Sequence, residues 1–169
     1  MVSIYVKDYG VMRFTLDYEN APISASNFVS LARKGYYENL TFHRIIKNFM
    51  IQGGDGRPRG RHVGYTIKGE FRSNGVDNKL LHKRGVLSMA RTMYKDSATS
   101  QFFVMHKDAP HLDGDYAAFG TMVEGFDVLD KIAGVRTDRN DRPLTPVVIE
   151  KVVVEDEPER DFPTIDEAF

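Results

Sequence analysis

Two polar residues interrupt apolar, β-prone runs: Arg44 within Phe42-His43-Arg44-Ile45-Ile46, and Gln52 within Phe49-Met50-Ile51-Gln52-Gly53-Gly54-Asp55. A guanidinium is always charged and carries a rigid fork of N–H donors, so in such a run it needs partners, open solvent or a ligand. An edge-strand arginine reaching water along its apolar stem accounts for the same residue without any site. The residues alone mark a candidate site and do not choose between these readings.

Other chemistry finds less support. Gly53-Gly54-Asp55-Gly56 through Gly60 matches neither G-x-G-x-x-G nor the P-loop, and tight turns needing positive φ explain the glycines better than a nucleotide does. Arg57, Arg59, Arg61 and His62 form a basic run without interleaved aromatics, which reads as a solvated loop. The five histidines, at 43, 62, 82, 106 and 111, show no H-x-x-x-H or H-E-x-x-H spacing, so no metal site is expected. Ser88 and Ser100 lack the G-x-S-x-G elbow of a hydrolase nucleophile. Asn39-Leu40-Thr41 matches a glycosylation sequon, but no secretion signal accompanies it. With no cysteine, a thiolate nucleophile, a disulfide framework and a Cys-ligated metal are all excluded.

The elements that must hold Arg44 and Gln52 are mostly strands. Ser3 to Val6 and Val11 to Tyr18 flank the hairpin turn Asp8-Tyr9-Gly10, and Phe14 and Leu16 share one face while Arg13, Thr15 and Asp17 take the other. Leu40 to Gln52 is broken at Lys47-Asn48. Tyr65–Lys68, Val86–Ala90, Gln101–His106, Ala117–Val123 and Val147–Val154 complete about eight strands. Pro22 starts a helix that Gly35 can stop, and Phe126, Leu129, Ile132 and Ala133 share one face of a second. Eight strands with two helices predict a mainly β domain, either a closed antiparallel barrel or a sandwich, and not alternating βαβ units.

A length of 169 residues fits one domain, large enough to hide about 70% of its unfolded surface. Twenty-three Lys plus Arg against 24 Asp plus Glu give a net charge of -1, which argues against nucleic acid or an anionic membrane as partner. No run approaches the roughly 18 apolar residues of a membrane span, and the N-terminal MVSIYVKDYGVMRF lacks signal-peptide features. A cytoplasmic protein is expected. Residues 1–155 read as the folded domain and 156–169 as an acidic, Pro-containing tail that hugs the surface or stays disordered.

The Arg44 and Gln52 segment resembles the signature of the cyclophilin family of peptidyl-prolyl cis-trans isomerases. The match continues at Gly85-Val86-Leu87-Ser88-Met89-Ala90, at Ser100-Gln101-Phe102-Phe103-Val104, and at Leu112-Asp113-Gly114 followed by Phe119-Gly120. These blocks follow the family order from Met1 to about Glu155, and the short loops look most like bacterial cytoplasmic members. The resemblance implies a closed eight-stranded antiparallel barrel capped by two helices, working as a monomer without cofactor or metal on Pro-containing peptides and on unfolded or folding proteins.

It also implies roles. Arg44 aligns with the family's catalytic arginine, Gln52 with the glutamine that holds it, and Phe49, Met50, Phe103 and Leu112 with the apolar seat for the proline ring, Phe49 being counted with the catalytic group. Ala90, Arg91 and Gln101 match the groove for the preceding peptide. Arg91 replaces the usual asparagine, Tyr116 a frequent histidine, and Lys47-Asn48 a Pro-Gly turn that Asn can also serve. His111 stands where cyclosporin-sensitive members carry tryptophan, so weak cyclosporin binding is expected from the smaller, more polar ring. The same fold used as a binding module or chaperone for Pro-containing segments with little turnover is the alternative, which retention of Arg44 together with Gln52, Phe49 and Phe103 disfavours.

Overall fold

Alternation of buried side chains builds the first hairpin of the structure, a computed structural model that describes residues 1–166. Strands β1 (Val2–Val6) and β2 (Gly10–Leu16) pair antiparallel, burying Val2, Ile4 and Val6 from one and Met12 and Phe14 from the other. The turn between them uses positive φ at Asp8 and Gly10, as its Asp-Tyr-Gly composition predicts. Helix α1 (Pro22–Arg33) begins on Pro22 and packs Phe28 against Tyr37, Phe102 and Phe119. Ala21 offers that helix no capping side chain. A distant carboxylate does the work: Glu70, almost fully buried, accepts from the Ile23 and Ser24 backbone N–H groups at 3.0 and 2.6 Å and from Ser24 Oγ at 2.7 Å.

The remaining elements follow as β3 (Phe42–Ile46), β4 (Met50–Gly53), β5 (Tyr65–Thr66), β6 (Val86–Met89), β7 (Phe102–Met105), β8 (Ala118–Glu124), α2 (Phe126–Ala133), β9 (Ile149–Val154) and β10 (Ile165–Asp166). Eight strands form one antiparallel sheet in the order β3-β4-β7-β6-β8-β2-β1-β9. The expected closed barrel is therefore corrected to an open half-barrel. Its ends, β3 and β9, form no ladder and meet through an isolated bridge between Thr41 and Val148 and flanking backbone bonds from Asn39 N–H to Ile149, from Phe42 N–H to Val147 and from Ile149 N–H to Leu40. The body of β3 runs along the 137–143 loop instead, where Ile45 N–H donates to the Asp141 carbonyl. A second correction concerns the strand expected at Tyr65–Lys68. Only Tyr65 and Thr66 form it, outside the main sheet, paired with β10.

The core divides in two. The larger cluster lies between the sheet and both helices, and includes Phe14, Phe28, Phe42, Phe102, Phe119, Leu129 and Ile132. The smaller gathers Met50, Val86, Phe103, Met105, Ala109, Leu112 and Ala118, with Phe49, Ala90 and Tyr116 at its margin. The acidic tail lies along the surface. Glu157 accepts from the N-terminal ammonium and from Tyr18 Oη, Arg160 stacks on Tyr18, and Phe162 meets Tyr65 edge-on. Positions 167–169 of the expected tail lie outside the described residues.

Candidate active site

The β3–β4 hairpin sets Arg44 directly opposite Gln52. Residues facing each other across a ladder project to the same side, so the two polar groups emerge together. Arg44 Nη1 lies 3.5 Å from Gln52 Oε1, a long bond, and Gln52 Nε2 donates to Gln101 Oε1 at 3.1 Å. Arg44 is solvent-exposed and Gln52 half-buried. The guanidinium is thus steered by one amide, and most of its donors remain available to a ligand.

Beside it opens a cavity of about 170 Å³ lined by Arg44, Phe49, Met50, Gln52, Ala90, Arg91, Phe103, Leu112 and Tyr116. All of these are residues that the sequence singled out. The two others singled out, Gln101 and His111, stand one layer away: Gln101 holds Gln52, and the exposed His111 ring stacks on Phe49 with centroids 5.7 Å apart. Phe103 forms the floor, buried to 5% exposure, and meets Tyr116 edge-to-face at 5.9 Å. Leu112 is presented by the short turn Pro110–Leu112. An apolar seat with one charged donor at its rim can hold a small ring and offer a hydrogen bond to an atom at its edge.

Arg91 occupies the cavity wall in a different manner from a groove residue with a free head. Its guanidinium lies between the rings of Phe71 and Tyr116, at 4.9 and 4.6 Å from their centroids. Its nitrogens donate to the Asp115 carbonyl at 3.1 and 2.6 Å and to the Thr92 carbonyl at 3.0 Å. The side chain is a clamp on Tyr116 and its donors are occupied.

Sequence reasoning missed what stands behind Phe103. The His82 ring stacks on it, with centroids 6.1 Å apart and planes 18° apart. His82 Nδ1 lies 3.0 Å from Asp113 Oδ1 and Nε2 lies 2.8 Å from Ser88 Oγ. Burial pushes the His82 pKa down, and although Asp113 opposes this the balance favours the neutral ring. Neutral, it donates from Nδ1 to the carboxylate and accepts a hydrogen bond from the Ser88 hydroxyl at Nε2. The order Ser-His-Asp is that of a hydrolase triad, but Ser88 and His82 are 0% and 1% exposed, so no substrate reaches the serine. The relay braces the pocket floor. Residues 82, 88 and 113 carry no local pattern that announces this, since the ring stack and both bonds exist only after the sheet has formed.

Among the described residues no group of three or more His, Asp or Glu side chains is placed to hold a metal ion, and no helix is long and apolar enough to cross a membrane. A larger hollow of about 980 Å³ lies between α1 and the tail, walled by groups of mixed charge such as Arg33, Lys34, Glu159, Arg160 and Asp161. Val29, Tyr65, Pro158 and Phe162 add apolar surface to it, but none of the site residues singled out in the sequence lines it, whereas the smaller cavity gathers nine of them.

The family described as cyclophilin type peptidyl-prolyl cis-trans isomerase/CLD matches residues 1–154. The chain is 41% identical over 145 residues to peptidyl-prolyl cis-trans isomerase-like 2 of Gibberella zeae, covering 85% of this chain and 25% of that protein, so it spans about a quarter of that relative's length. It is 40% identical to peptidyl-prolyl cis-trans isomerase CYP18-1 of Arabidopsis thaliana, covering 83% of this chain and 87% of the relative. Relatives of eukaryotic and bacterial origin match alike. Among solved structures, a cyclophilin type peptidyl-prolyl cis-trans isomerase of Cryptosporidium parvum, crystallised in the presence of the dipeptide Ala-Pro, superposes with a TM-score of 0.81 at 31% identity, covering 92% of this chain and 99% of that one. With the match running from the first strand through the last strand of the main sheet, the chain belongs to the cyclophilin-type peptidyl-prolyl cis-trans isomerase family.

Proposed function

We propose that this protein accelerates rotation about X-Pro bonds in peptides and folding proteins, with Arg44 as its catalytic residue. The uncatalysed barrier is about 20 kcal/mol, the amide resonance lost when the C–N bond twists. No nucleophile or proton transfer is needed. The protein must bind the twisted amide better than either planar form, and a millionfold acceleration asks for about 8 kcal/mol of such preference.

The observation that carries this reading is the pairing of one charged donor with one apolar seat. Phe49, Met50, Phe103 and Leu112 would grip the proline ring and strip its water, while Arg44 donates to the prolyl nitrogen. That nitrogen has a lone pair to accept with only as it pyramidalises, so the bond strengthens toward the transition state. Gln52, tied to Gln101, would hold the guanidinium in place. Ala90 and Tyr116 would wall the path of the preceding residues, with Arg91 acting through Tyr116. His111 flanks Phe49 at the rim.

Residues 1–155 would form the isomerase unit and 156–169 an appended strap. All nine residues lining the cavity come from this one chain, and a monomer is part of the proposal. The basic loop supports no role with nucleic acid, because Arg57 is paired with Asp55 and Arg61 donates to the Tyr36 and Glu38 carbonyls. The short loops, which look most like those of bacterial cytoplasmic members, support a cytoplasmic, bacterial-type protein.

The test is a protease-coupled isomerisation assay on an Ala-Pro-Phe peptide with wild type beside Arg44→Ala, folding of both checked by circular dichroism. A fast wild type and a folded variant slower by about a hundredfold assign roughly 3 kcal/mol of transition-state stabilisation to Arg44. Equal, slow rates would make the site a peptide clamp in a binding module.

A further inference from the structure

Phe49 forms one wall of the cavity, yet it lies on the turn between β3 and β4 and is only half-buried. The turn is a three-residue connection with Asn48 in the left-handed region, φ 65°. Such a tip needs fastening if its aromatic ring is to keep its place, and the fastening is on His106, which follows β7. The His106 backbone N–H donates to the Phe49 carbonyl at 2.9 Å. Its ring Nδ1 accepts the Asn48 N–H, also at 2.9 Å. A ring that accepts at Nδ1 carries its proton on Nε2, and Nε2 lies 3.0 Å from Asp130 Oδ1 on α2.

The chain of contacts continues. Arg84 takes Asp130 in a two-pronged grip at 2.7 and 3.1 Å, donates to the His106 carbonyl at 3.3 Å and lies over the Phe126 ring. The His106 side chain is itself 11% exposed, while its partners Asn48 and Asp130 lie at the surface. Histidine here joins a turn to a helix and needs both ring nitrogens to do so.

We propose that His106 is a positioning residue for the pocket: through Nδ1 it holds the Asn48-Phe49 turn so that the Phe49 ring forms the cavity wall, and through Nε2 it anchors that turn to α2. The inference rests on the reading of the cavity as the prolyl site. It adds a residue outside the cavity to the set that determines peptide affinity.

Asparagine and glutamine separate the two nitrogens. In His106→Asn the side-chain oxygen can stand where Nδ1 accepts, and in His106→Gln the amide N–H can stand where Nε2 donates. His106→Leu removes both. Two quantities are measured by NMR on folded proteins: the affinity for an Ala-Pro-Phe peptide with its bound exchange rate, and hydrogen exchange at the Asn48 amide. The expected result is an affinity about fivefold weaker in the Gln and Leu variants with the bound exchange rate within about twofold of wild type, faster Asn48 exchange in both, and recovery of only part of each loss in the Asn variant, which keeps the acceptor for Asn48 but not the anchor to α2. Equal effects of Asn and Gln, or unchanged affinity in all three, would overturn the proposal. Failure of the wild type itself to bind the peptide would sink the prolyl-site reading, and Asn48 exchange would still report whether the latch exists.

Discussion

Gln52 faces Arg44 across the β3–β4 ladder and at the same time donates to Gln101 on the approach to β7, so one amide ties the exposed guanidinium to the neighbouring strand. The bond to Arg44 is long at 3.5 Å and the bond to Gln101 is ordinary at 3.1 Å. This geometry makes Gln52 a steering group with a modest effect of its own. Gln52→Ala is expected to lower kcat/KM by about tenfold, against about a hundredfold for Arg44→Ala, and the double variant to lose little beyond Arg44→Ala. Full additivity in that cycle would show that the two side chains act separately.

Arg91 offers a test in which lysine is not a substitute for arginine. Flanked by Phe71 and Tyr116 and donating to the Asp115 and Thr92 carbonyls, it uses the flat face and the fork together. Arg91→Lys and Arg91→Ala are both expected to cost about 1–2 kcal/mol of stability and to weaken peptide binding through a loosened Tyr116. Urea unfolding and peptide titration check both effects. A lysine variant indistinguishable from wild type would mean the fork and stack contribute nothing.

Acid should destabilise the fold through His82. Burial lowers its pKa from the ordinary 6.5, so below that value the unfolded chain takes up a proton that the folded chain resists. Stability is therefore fully present above about pH 6.5 and declines as pH falls toward the folded value. Half-buried His43, also pushed down by burial, acts in the same direction. Urea midpoints at pH 7.5 and 5.5 should differ in wild type, and His82→Gln, less stable throughout, should show the smaller difference. An undiminished pH dependence in that variant would refute the assignment to His82.

Cyclosporin binding isolates the rim. The exposed His111 ring stacks on Phe49 but lacks the broad apolar face of an indole. We expect an inhibition constant above about 100 nM, falling at least about tenfold in His111→Trp. Tight inhibition of the wild type would show that the rim position matters less than its chemistry suggests.

The tail should matter for stability and not for turnover. Its contacts run to the N-terminus, Tyr18, Arg33 and Tyr65, and none of its described residues lines the smaller cavity. Ending the chain after Glu155 is expected to lower Tm by several degrees, about 2–4 °C for each kcal/mol lost, with kcat/KM within about twofold. A large fall in activity without loss of stability would place the tail in the functional machinery.

Much of this protein is legible locally. Phe14 and Leu16 opposite Arg13 and Thr15 announce a half-buried strand, Pro22 a helix start, and Asn48 a turn residue able to take positive φ, which it does at 65°. These follow from one residue's torsional preferences or from a two-residue period, and need no knowledge of the rest of the chain. The motif blocks reach further, since every residue lining the smaller cavity lies in them or beside them. Met50, Phe103 and Leu112 belong to a small apolar cluster of their own, and composition alone would have assigned them to ordinary core.

What tertiary structure decided are relations between segments far apart in the chain. The half-barrel is open because β3 turns from β9 toward the 137–143 loop, and β10 adds to β5 across about a hundred residues. Arg91 is a clamp because Phe71 and Tyr116 arrive on either side of it, and His82 is a brace because Ser88, Asp113 and Phe103 surround it. Local sequence specifies which way a side chain faces and where the backbone can turn. Which partner stands within 3 Å of its polar atoms is settled only when separate segments pack together and each buried donor must find an acceptor.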